Sequence, residues 1–385
     1  MSRFRTSWFG AAIIVFFLTS FLAPIASAQE EQQPEQTPPR PAQPAPLVSP
    51  EILPDNRVTF RISAPEANEV IIIGDLFEDY RGEKLIKDDQ GVWSITPGPL
   101  VPDVYSYTFY VDGVKVVDPN NPGVKQGIRS KDSIFLLPGA EADFLDVQPV
   151  PHGIISIVWY QSSSLGMMRR MRIYTPPGYD NSRRKRYPVF YLLHGGGDND
   201  IGWSTIGRTG FIIDNLLAEG KAEPMIVVMP NGSVGRSPAA AGTQATGRFE
   251  DDMVQDIIPY VEENYRVLAR KDQRAIAGLS MGGGQTLRLT LDNPDMFSYI
   301  GVYSSGARST DEEFEKGLDE LKAEGPKLYW IGCGVNDQLA HAGSVNLAGL
   351  LEKHGIEYTF RESPGGHTWI NWRHYLAEFA PLLFR

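Results

Sequence analysis

The pattern of apolar and polar residues changes character near residue 150. Between residues 51 and 140, apolar and polar side chains alternate with a period of two, and Gly, Pro and Asp separate the runs. Such alternation is typical of strands with one buried face. Strands are predicted at 58–62, 69–73, 92–95 and 104–111, with a hairpin at Asp112-Gly113. The pattern predicts a small antiparallel β-sandwich over residues 51–145.

From residue 154 onward, continuous apolar runs alternate with helical stretches. Apolar runs of this kind are expected for strands that are covered on both faces. The alternation of strands and helices predicts an α/β domain with a mostly parallel sheet over residues 150–385. The predicted strands are 154–160, 168–175, 189–193, 225–229, 274–277, 299–303, 328–331 and 358–361, and the predicted helical stretches include 209–219, 250–264, 284–291 and 345–354.

The first 50 residues have a different composition. Arg3 and Arg5 precede an apolar run at 8–25, and small residues follow at 26–28, which is typical of a cleavable signal peptide over residues 1–28. An uncleaved anchor is the alternative, because the run approaches membrane-spanning length. Residues 29–50, rich in Gln, Glu, Pro and Ala, predict a flexible linker. We therefore expect a secreted or periplasmic protein with no membrane attachment after cleavage.

Composition narrows the function classes. The 385 residues are 42% hydrophobic and 11% aromatic, which excludes a wholly disordered chain. The formal net charge of −11 would become −13 on loss of residues 1–28, since two arginines and no acidic residue leave. This negative charge argues against nucleic acid as a partner. The single Cys333 excludes an internal disulfide, and no metal-ligand spacing occurs, so we expect no metal and no cofactor.

The pentapeptide Gly278-Leu279-Ser280-Met281-Gly282 fits the G-x-S-x-G nucleophile elbow. An apolar run precedes it and a helical stretch follows it, which is the context the motif requires. The glycines permit a tight strand-to-helix turn that exposes the serine. Ser280 is therefore the candidate nucleophile, and a chance Gly-Ser turn is the alternative.

A base and an acid are expected to accompany the serine. His367 lies in a loop directly after the predicted strand 358–361, where the base of an α/β-hydrolase occurs. Asp337 follows the predicted strand 328–331, and the chain order Ser280, Asp337, His367 is that of such hydrolases. A structural loop histidine and a solvated turn aspartate are the alternatives, and Asp292 and Asp295 compete for the acid position.

Two further features surround the predicted triad. His194-Gly195-Gly196-Gly197 follows a predicted strand, so the backbone N–H groups of Gly196 and Met281 are the candidate oxyanion donors; a flexible glycine-rich turn is the alternative. Trp203 and Trp369 are candidate substrate-stacking residues or core residues. The Gly/Ala/Ser-rich segment 232–247 is a candidate rim of the acyl pocket.

Several motifs together resemble carbohydrate esterase family one, which contains feruloyl and acetylxylan esterases. They are residues 191–197, 277–283, Asn336-Asp337, and 366–369 with Trp372-Arg373. The resemblance covers residues 150–385. It implies an α/β-hydrolase with Ser280, Asp337 and His367 as its triad.

The N-terminal part more weakly resembles the family-48 carbohydrate-binding and isoamylase N-terminal β-sandwich, through residues 91–93, 104–107 and 111–113 with Asp118-Pro119. Trp93 and the tyrosines of 105–110 are then sugar platforms or core residues. The two resemblances imply a secreted serine esterase for feruloyl or acetyl esters of plant polysaccharide such as xylan. An enterochelin-type siderophore esterase and a glycan-binding protein with an inert hydrolase domain are the alternatives.

Overall fold

The computed structural model describes residues 46–77, 82–128, 131–181, 184–234, 248–307 and 311–385. Residues Leu47–Arg385 form one compact unit. The predicted signal peptide, most of the predicted linker and most of segment 232–247 lie outside the described residues. Among the helices that are described, none has the length and apolar character needed to cross a membrane.

Two antiparallel sheets form the predicted N-terminal sandwich. One has the strand order β1-β2-β6-β5, and the other has the order β4-β3-β7-β10-β9 with β8 paired to β7. The strands are β1 (Glu51–Ile52), β2 (Val58–Ser63), β3 (Val70–Gly74), β4 (Glu83–Lys84), β5 (Ile86–Lys87), β6 (Val92–Ile95), β7 (Asp103–Val111), β8 (Val114–Val116), β9 (Val124–Gln126) and β10 (Lys131–Leu137).

Aromatic side chains fill the space between these two sheets. Phe60, Tyr107 and Phe135 contact one another edge to face. Trp93 and Tyr105 are buried in the same core, where the Trp93 Nε1–H donates to the Ala64 carbonyl at 2.9 Å. The structure therefore places Trp93, Tyr105 and Tyr107 in the core and not on a sugar-binding surface.

The C-terminal sheet has the order β11-β12-β14-β13-β15-β16-β17-β18. β12 pairs antiparallel with both of its neighbours, β11 and β14, and the strands from β14 onward in this order are parallel. The α/β-hydrolase prediction is thereby confirmed. The strands are β11 (Ile154–Ser162), β12 (Met167–Thr175), β13 (Val189–Leu193), β14 (Ile226–Pro230), β15 (Arg274–Leu279), β16 (Tyr299–Tyr303), β17 (Leu328–Gly334) and β18 (Thr359–Ser363).

Helices cover both faces of this sheet, and apolar clusters lie between the helices and the strands. A π-helical turn at Met253–Ile257 joins two of the helices into one segment. The helices are α1 (Thr209–Ala218), α2 (Phe249–Asp252), α3 (Ile258–Asn264), α4 (Met281–Asp292), α5 (Glu312–Glu324), α6 (His341–Lys353) and α7 (Trp369–Phe379).

A buried ion pair connects the sandwich to the hydrolase sheet. Arg373 on α7 is 0% exposed, and its Nη2 lies 2.6 Å from an Asp103 carboxylate oxygen at the start of β7. The same guanidinium donates to the carbonyls of Val104 and Ile206. His374 contacts the second Asp103 oxygen at 3.1 Å. Burial raises the pKa of the Asp103 carboxyl, but Arg373 and His374 outweigh burial and hold this pKa below its usual range.

We expect Arg373→Met to lower the free energy of unfolding by about 3–5 kcal/mol, because Asp103 would remain buried without its cation. The matched control is Arg361→Met, which removes an exposed ion pair with Glu378 and should cost no more than about 1 kcal/mol. Urea unfolding of both variants measures the difference. Equal losses would contradict the role given to the buried pair.

A second acidic residue of the sandwich makes stability depend on pH. Burial raises the pKa of Asp75 to about 6, although hydrogen bonds from Ser106 and the charge of Arg373 oppose the increase. Between the two pKa values the folded state therefore holds a proton that the unfolded state, with an ordinary carboxyl pKa of about 4, has already lost. Stability due to this group is present at low pH and falls as pH rises through about 6.

Asp75→Asn should remove this dependence while an amide replaces the carboxyl in its contacts with Ser106. We expect the variant to gain stability relative to the wild type between pH 4.5 and pH 7.5. Urea unfolding at the two pH values tests the sign. A difference between variant and wild type that stays constant with pH would contradict the shift.

Candidate active site

Ser280 lies at the sharp turn between β15 and α4. Its φ of 51° and ψ of −113° are rarely adopted by a residue with a side chain. The Ser280 N–H donates to the Tyr303 carbonyl at the end of β16, at 2.8 Å. The Ser280 carbonyl accepts from the Gly284 N–H at 3.0 Å, which starts the helix. This is the geometry of a nucleophile elbow, in which the serine is presented at the carboxyl edge of the sheet.

Two glycines of the pentapeptide permit close approach of backbone segments. A Cβ on Gly278 would lie 2.3 Å from the Gly282 carbonyl oxygen. A Cβ on Gly282 would lie 2.6 Å from the His194 carbonyl oxygen and 2.8 Å from that of Leu193. The helix behind Ser280 therefore packs directly on the end of β13.

Asp337 and His367 meet at the same edge of the sheet. Asp337 follows β17, His367 follows β18, and the His367 Nδ1 lies 2.8 Å from an Asp337 carboxylate oxygen. The other oxygen accepts from the backbone N–H groups of Leu339 and Ala340 at 3.1 and 3.0 Å. Burial raises the pKa of Asp337, but the hydrogen bond and charge of His367 outweigh it, so the pKa lies below its usual range. The carboxylate thus stays ionised and orients the imidazole.

The other acidic candidates lie elsewhere. Asp292 is at the far end of α4, where its carboxylate accepts from Arg248 at 2.8 Å. Asp295 is exposed in the turn that follows. Cys333 is buried, and burial raises the pKa of its thiol to about 11, so it is protonated at neutral pH.

Trp372 packs against the imidazole ring of His367. The rings of Trp372 and His367 contact each other edge to face, with centroids 5.1 Å apart at an interplanar angle of 88°. The Trp372 Nε1–H donates to Ser304 Oγ at 3.0 Å. Ser304 follows Tyr303, whose carbonyl holds the Ser280 N–H. Trp372 therefore connects the turn after β16 to the loop that carries His367.

The two tryptophans weighed for substrate stacking are core residues instead. Trp203 is 1% exposed and donates its Nε1–H to the Leu193 carbonyl at 3.0 Å. Trp369 is 4% exposed and lies between Trp203 and Trp372, with centroids 5.1 and 5.3 Å away. Stacking on a substrate ring requires an open face, which neither side chain has. Trp203 and Trp369 instead pack in the core next to Trp372 and the end of β13.

The glycine-rich loop after β13 lies beside the serine. An ideal Cβ on Gly195 would come within 3.3 Å of Ser280 Cβ, and one on Gly196 would have Met281 Cβ as its nearest neighbour at 4.0 Å. Gly196 is exposed, whereas Gly195 is buried. The predicted oxyanion donors, Gly196 and Met281, therefore belong to segments that meet next to Ser280.

His194 fixes this loop, a role that the sequence did not reveal. Its buried Nε2 accepts from the Gly232 N–H at 2.9 Å, so the proton lies on Nδ1, which donates to the Gly195 carbonyl at 2.8 Å. Burial lowers the pKa of His194 and favours this neutral form. In a trans peptide the Gly196 N–H points away from the Gly195 carbonyl. His194 thereby sets the direction of the Gly196 N–H.

Gly282→Ala and Gly284→Ala form a matched pair on α4. We expect Gly282→Ala to lower the free energy of unfolding by about 1–3 kcal/mol, because the new methyl group would press on the backbone of β13. Gly284→Ala meets only Ser305 Oγ at 3.9 Å, so it should gain up to about 1 kcal/mol from helix propensity. Urea unfolding of both variants is the measurement. A stabilised Gly282→Ala protein would contradict the close approach.

Two relatives of known description are similar to this chain in sequence. An endo-1,4-beta-xylanase/feruloyl esterase of Xylanibacter ruminicola is 34% identical over 353 residues, which are 90% of this chain and 47% of the relative. Endo-1,4-beta-xylanase Y of Acetivibrio thermocellus is 26% identical over 244 residues, which are 56% of this chain and 22% of the relative. The chain thus spans less than half the length of either relative.

Solved structures agree on the fold. A CE1 ferulic acid esterase from Anaeromyces mucronatus has a TM-score of 0.55 and 27% identity, with 63% of this chain and 95% of that one covered. The enterobactin esterase of Shigella flexneri has a TM-score of 0.63 and 18% identity, covers 85% of this chain and 92% of its own, and shows the fold alone. The family model described as "Putative esterase" matches residues 162–383, more than half of the chain. This chain therefore belongs to that esterase family.

Proposed function

We propose that this protein is an exported serine esterase that hydrolyses carboxylic esters on carbohydrate, with feruloyl or acetyl esters of plant polysaccharide such as xylan as its substrates. The observation that carries the proposal is the contact of 2.8 Å between His367 Nδ1 and Asp337, at the sheet edge where Ser280 forms a nucleophile elbow. The feruloyl esterase relative and the ferulic acid esterase structure support the substrate class.

In the first step Ser280 Oγ attacks the ester carbonyl carbon, and His367 Nε2 takes the hydroxyl proton. Asp337, buried and ionised, stabilises the imidazolium that results. The carbonyl oxygen becomes an oxyanion, which the N–H groups of Gly196 and Met281 stabilise from the glycine-rich loop and the α4 N-terminus. The tetrahedral intermediate then collapses, and the alcohol leaves with the proton from His367.

The second step resolves the acyl-enzyme. Water loses a proton to His367 and attacks the acyl carbon, and the same two N–H groups stabilise the second oxyanion. Collapse releases the carboxylic acid and returns the proton to Ser280. This cycle uses side-chain and backbone groups of this chain alone, and it requires no cofactor.

The alternative of a siderophore esterase is favoured by the fold shared with the enterobactin esterase, which extends over 85% of this chain. Recognition of an anionic catecholate complex requires cationic side chains that are free to bind it. Of the residues that the structure describes, three basic side chains near the glycine-rich loop are already paired: Lys125 contacts Asp198, while Arg170 and Arg172 contact Asp200. The carbohydrate ester therefore remains the better-supported substrate.

We expect Ser280→Ala to lower kcat for 4-nitrophenyl acetate and methyl ferulate by at least about 10⁴-fold, since no other group replaces the nucleophile. Thermal unfolding checks that the variant is folded. Ser94→Ala, in a sandwich strand, is the control and should retain wild-type kcat. Retained turnover in folded Ser280→Ala would overturn the assignment, and labelling of wild type but not variant by a fluorophosphonate would confirm the nucleophile independently of substrate.

A substrate panel separates the acyl groups. Methyl ferulate, acetylated xylan and a catecholate serine ester are compared by kcat/KM. We expect kcat/KM for methyl ferulate or for acetylated xylan to exceed kcat/KM for the catecholate serine ester. Preference for the catecholate ester would favour the siderophore alternative, and failure of the wild type to turn over any ester would favour an inert hydrolase domain.

A further inference from the structure

We propose that the N-terminal β-sandwich positions the oxyanion loop of the hydrolase domain, with Lys125 as the positioning residue. The oxyanion loop is residues 194–198, from His194 to Asp198. This inference rests on the proposed esterase function, because it concerns how the same site stabilises its oxyanion. It assigns to the sandwich a part in catalysis that is independent of glycan binding.

Two contacts join the sandwich to the loop. The Lys125 ammonium of β9 lies 2.8 Å from an Asp198 carboxylate oxygen, and the two side chains are only 16% and 6% exposed. The Ile128 N–H, in the turn after β9, donates to the Gly197 carbonyl at 2.9 Å. One contact is a nearly buried ion pair and the other is a backbone hydrogen bond, so both restrict the loop in position and direction.

These contacts reach the oxyanion donor through one further hydrogen bond. The Asp198 N–H donates to the Gly195 carbonyl at 3.3 Å, on the same oxygen that accepts from His194 Nδ1. Because the Gly195–Gly196 peptide is trans, fixing its carbonyl fixes the Gly196 N–H in the opposite direction. Lys125 therefore positions Asp198 through the ion pair, and Asp198 positions the Gly195–Gly196 peptide through its hydrogen bond. The orientation of this peptide sets the direction of the Gly196 N–H.

Charge gives Lys125 a second effect. Asp198 is 4% exposed and lies two residues from the Gly196 donor. An uncompensated carboxylate there would oppose the negative charge that develops on the substrate oxygen. The Lys125 ammonium compensates Asp198. Two residues after the loop, Asp200 is compensated by Arg170 at 2.8 Å and Arg172 at 3.6 Å from β12.

The loop and the residues directly after it therefore make ion pairs with two different parts of the fold. β12 belongs to the hydrolase sheet, whereas β9 belongs to the sandwich. The β9 contact is the one that the α/β-hydrolase sheet cannot supply by itself. The sandwich thus completes a site whose reacting groups all lie in the other half of the chain.

The test measures kcat and KM of full-length variants with 4-nitrophenyl acetate, a substrate too small to contact the sandwich surface broadly. We expect Lys125→Met to lower kcat at least about 10-fold while KM changes less than about 3-fold, because the lost interaction acts in the transition state. Lys125→Arg, which retains the charge, should restore kcat to within about 3-fold of wild type. The control is Lys115→Met, which removes the Lys115–Asp132 ion pair of the same sandwich and should retain wild-type kcat and KM.

The double variant Lys125→Met/Asp198→Asn separates charge from position. Removing both charges should recover part of the kcat lost in Lys125→Met but not all of it, since the ion pair is still absent. If Lys125→Met does not fold, the kcat of the double variant tests the proposal instead, because the double variant buries no unpaired charge. A lowered kcat with unchanged KM supports the proposal, and wild-type kcat in the folded double variant overturns it.

Three outcomes distinguish this inference from the proposed function. Wild-type kcat in Lys125→Met, together with an inactive Ser280→Ala, would overturn the positioning role and leave the esterase intact. An equal loss of kcat in Lys125→Met and Lys115→Met would show general destabilisation and would also overturn it. Full activity of Ser280→Ala would instead remove the proposed function on which this inference rests.

Discussion

The buried guanidinium of Arg373 is the constraint on which the arrangement of the site depends. A cation with no access to water must have all of its donors satisfied, and Arg373 uses Asp103 and Val104 of the sandwich together with the Ile206 carbonyl. Ile206 lies in the segment that follows the glycine-rich loop. Arg373 itself follows Trp372, which packs on His367. One side chain thus fixes the relative positions of the sandwich, the loop and the helix behind the histidine.

Backbone proximity accounts for the rest of the catalytic geometry. Ser280 has an unfavourable φ of 51°, and hydrogen bonds to Tyr303 and from Gly284 maintain it. Gly282 lets α4 approach the end of β13 closely, which brings Met281 and Gly196 into adjacent segments. The proposed triad and oxyanion donors come from the ends of β13, β15, β17 and β18. A parallel sheet places all these ends at one edge, so a small number of close contacts is sufficient to define the site.

Sequence alone predicted the features that depend on local patterns. Ser280 and its glycines form a contiguous motif, and Asp337 and His367 each lie in the loop that follows a predicted strand. Helix α5 was missed because its apolar face is narrow and its remaining residues are charged, although Asp311 caps its start and Gly325, at a φ of 63°, ends it. The roles of Trp203, Trp369 and His194 depend on burial and on partners distant in the chain, which a single sequence does not encode in any periodic form.

The change of pattern near residue 150 marks the change from the sandwich to the α/β sheet. It does not indicate whether the two parts of the chain are stable independently of each other. Lys125 and Asp198 are separated by 73 positions, so no rule based on local sequence could have paired them. They nevertheless form a nearly buried ion pair at 2.8 Å. Arg373 and Asp103 are further apart still, at 270 positions. In both pairs, one charged side chain comes from the sandwich and the other from the hydrolase domain. Burying either charge without its partner would cost folding free energy. The sandwich and the hydrolase therefore depend on each other for the placement of the glycine-rich loop, and the proposed esterase site is a property of the two together.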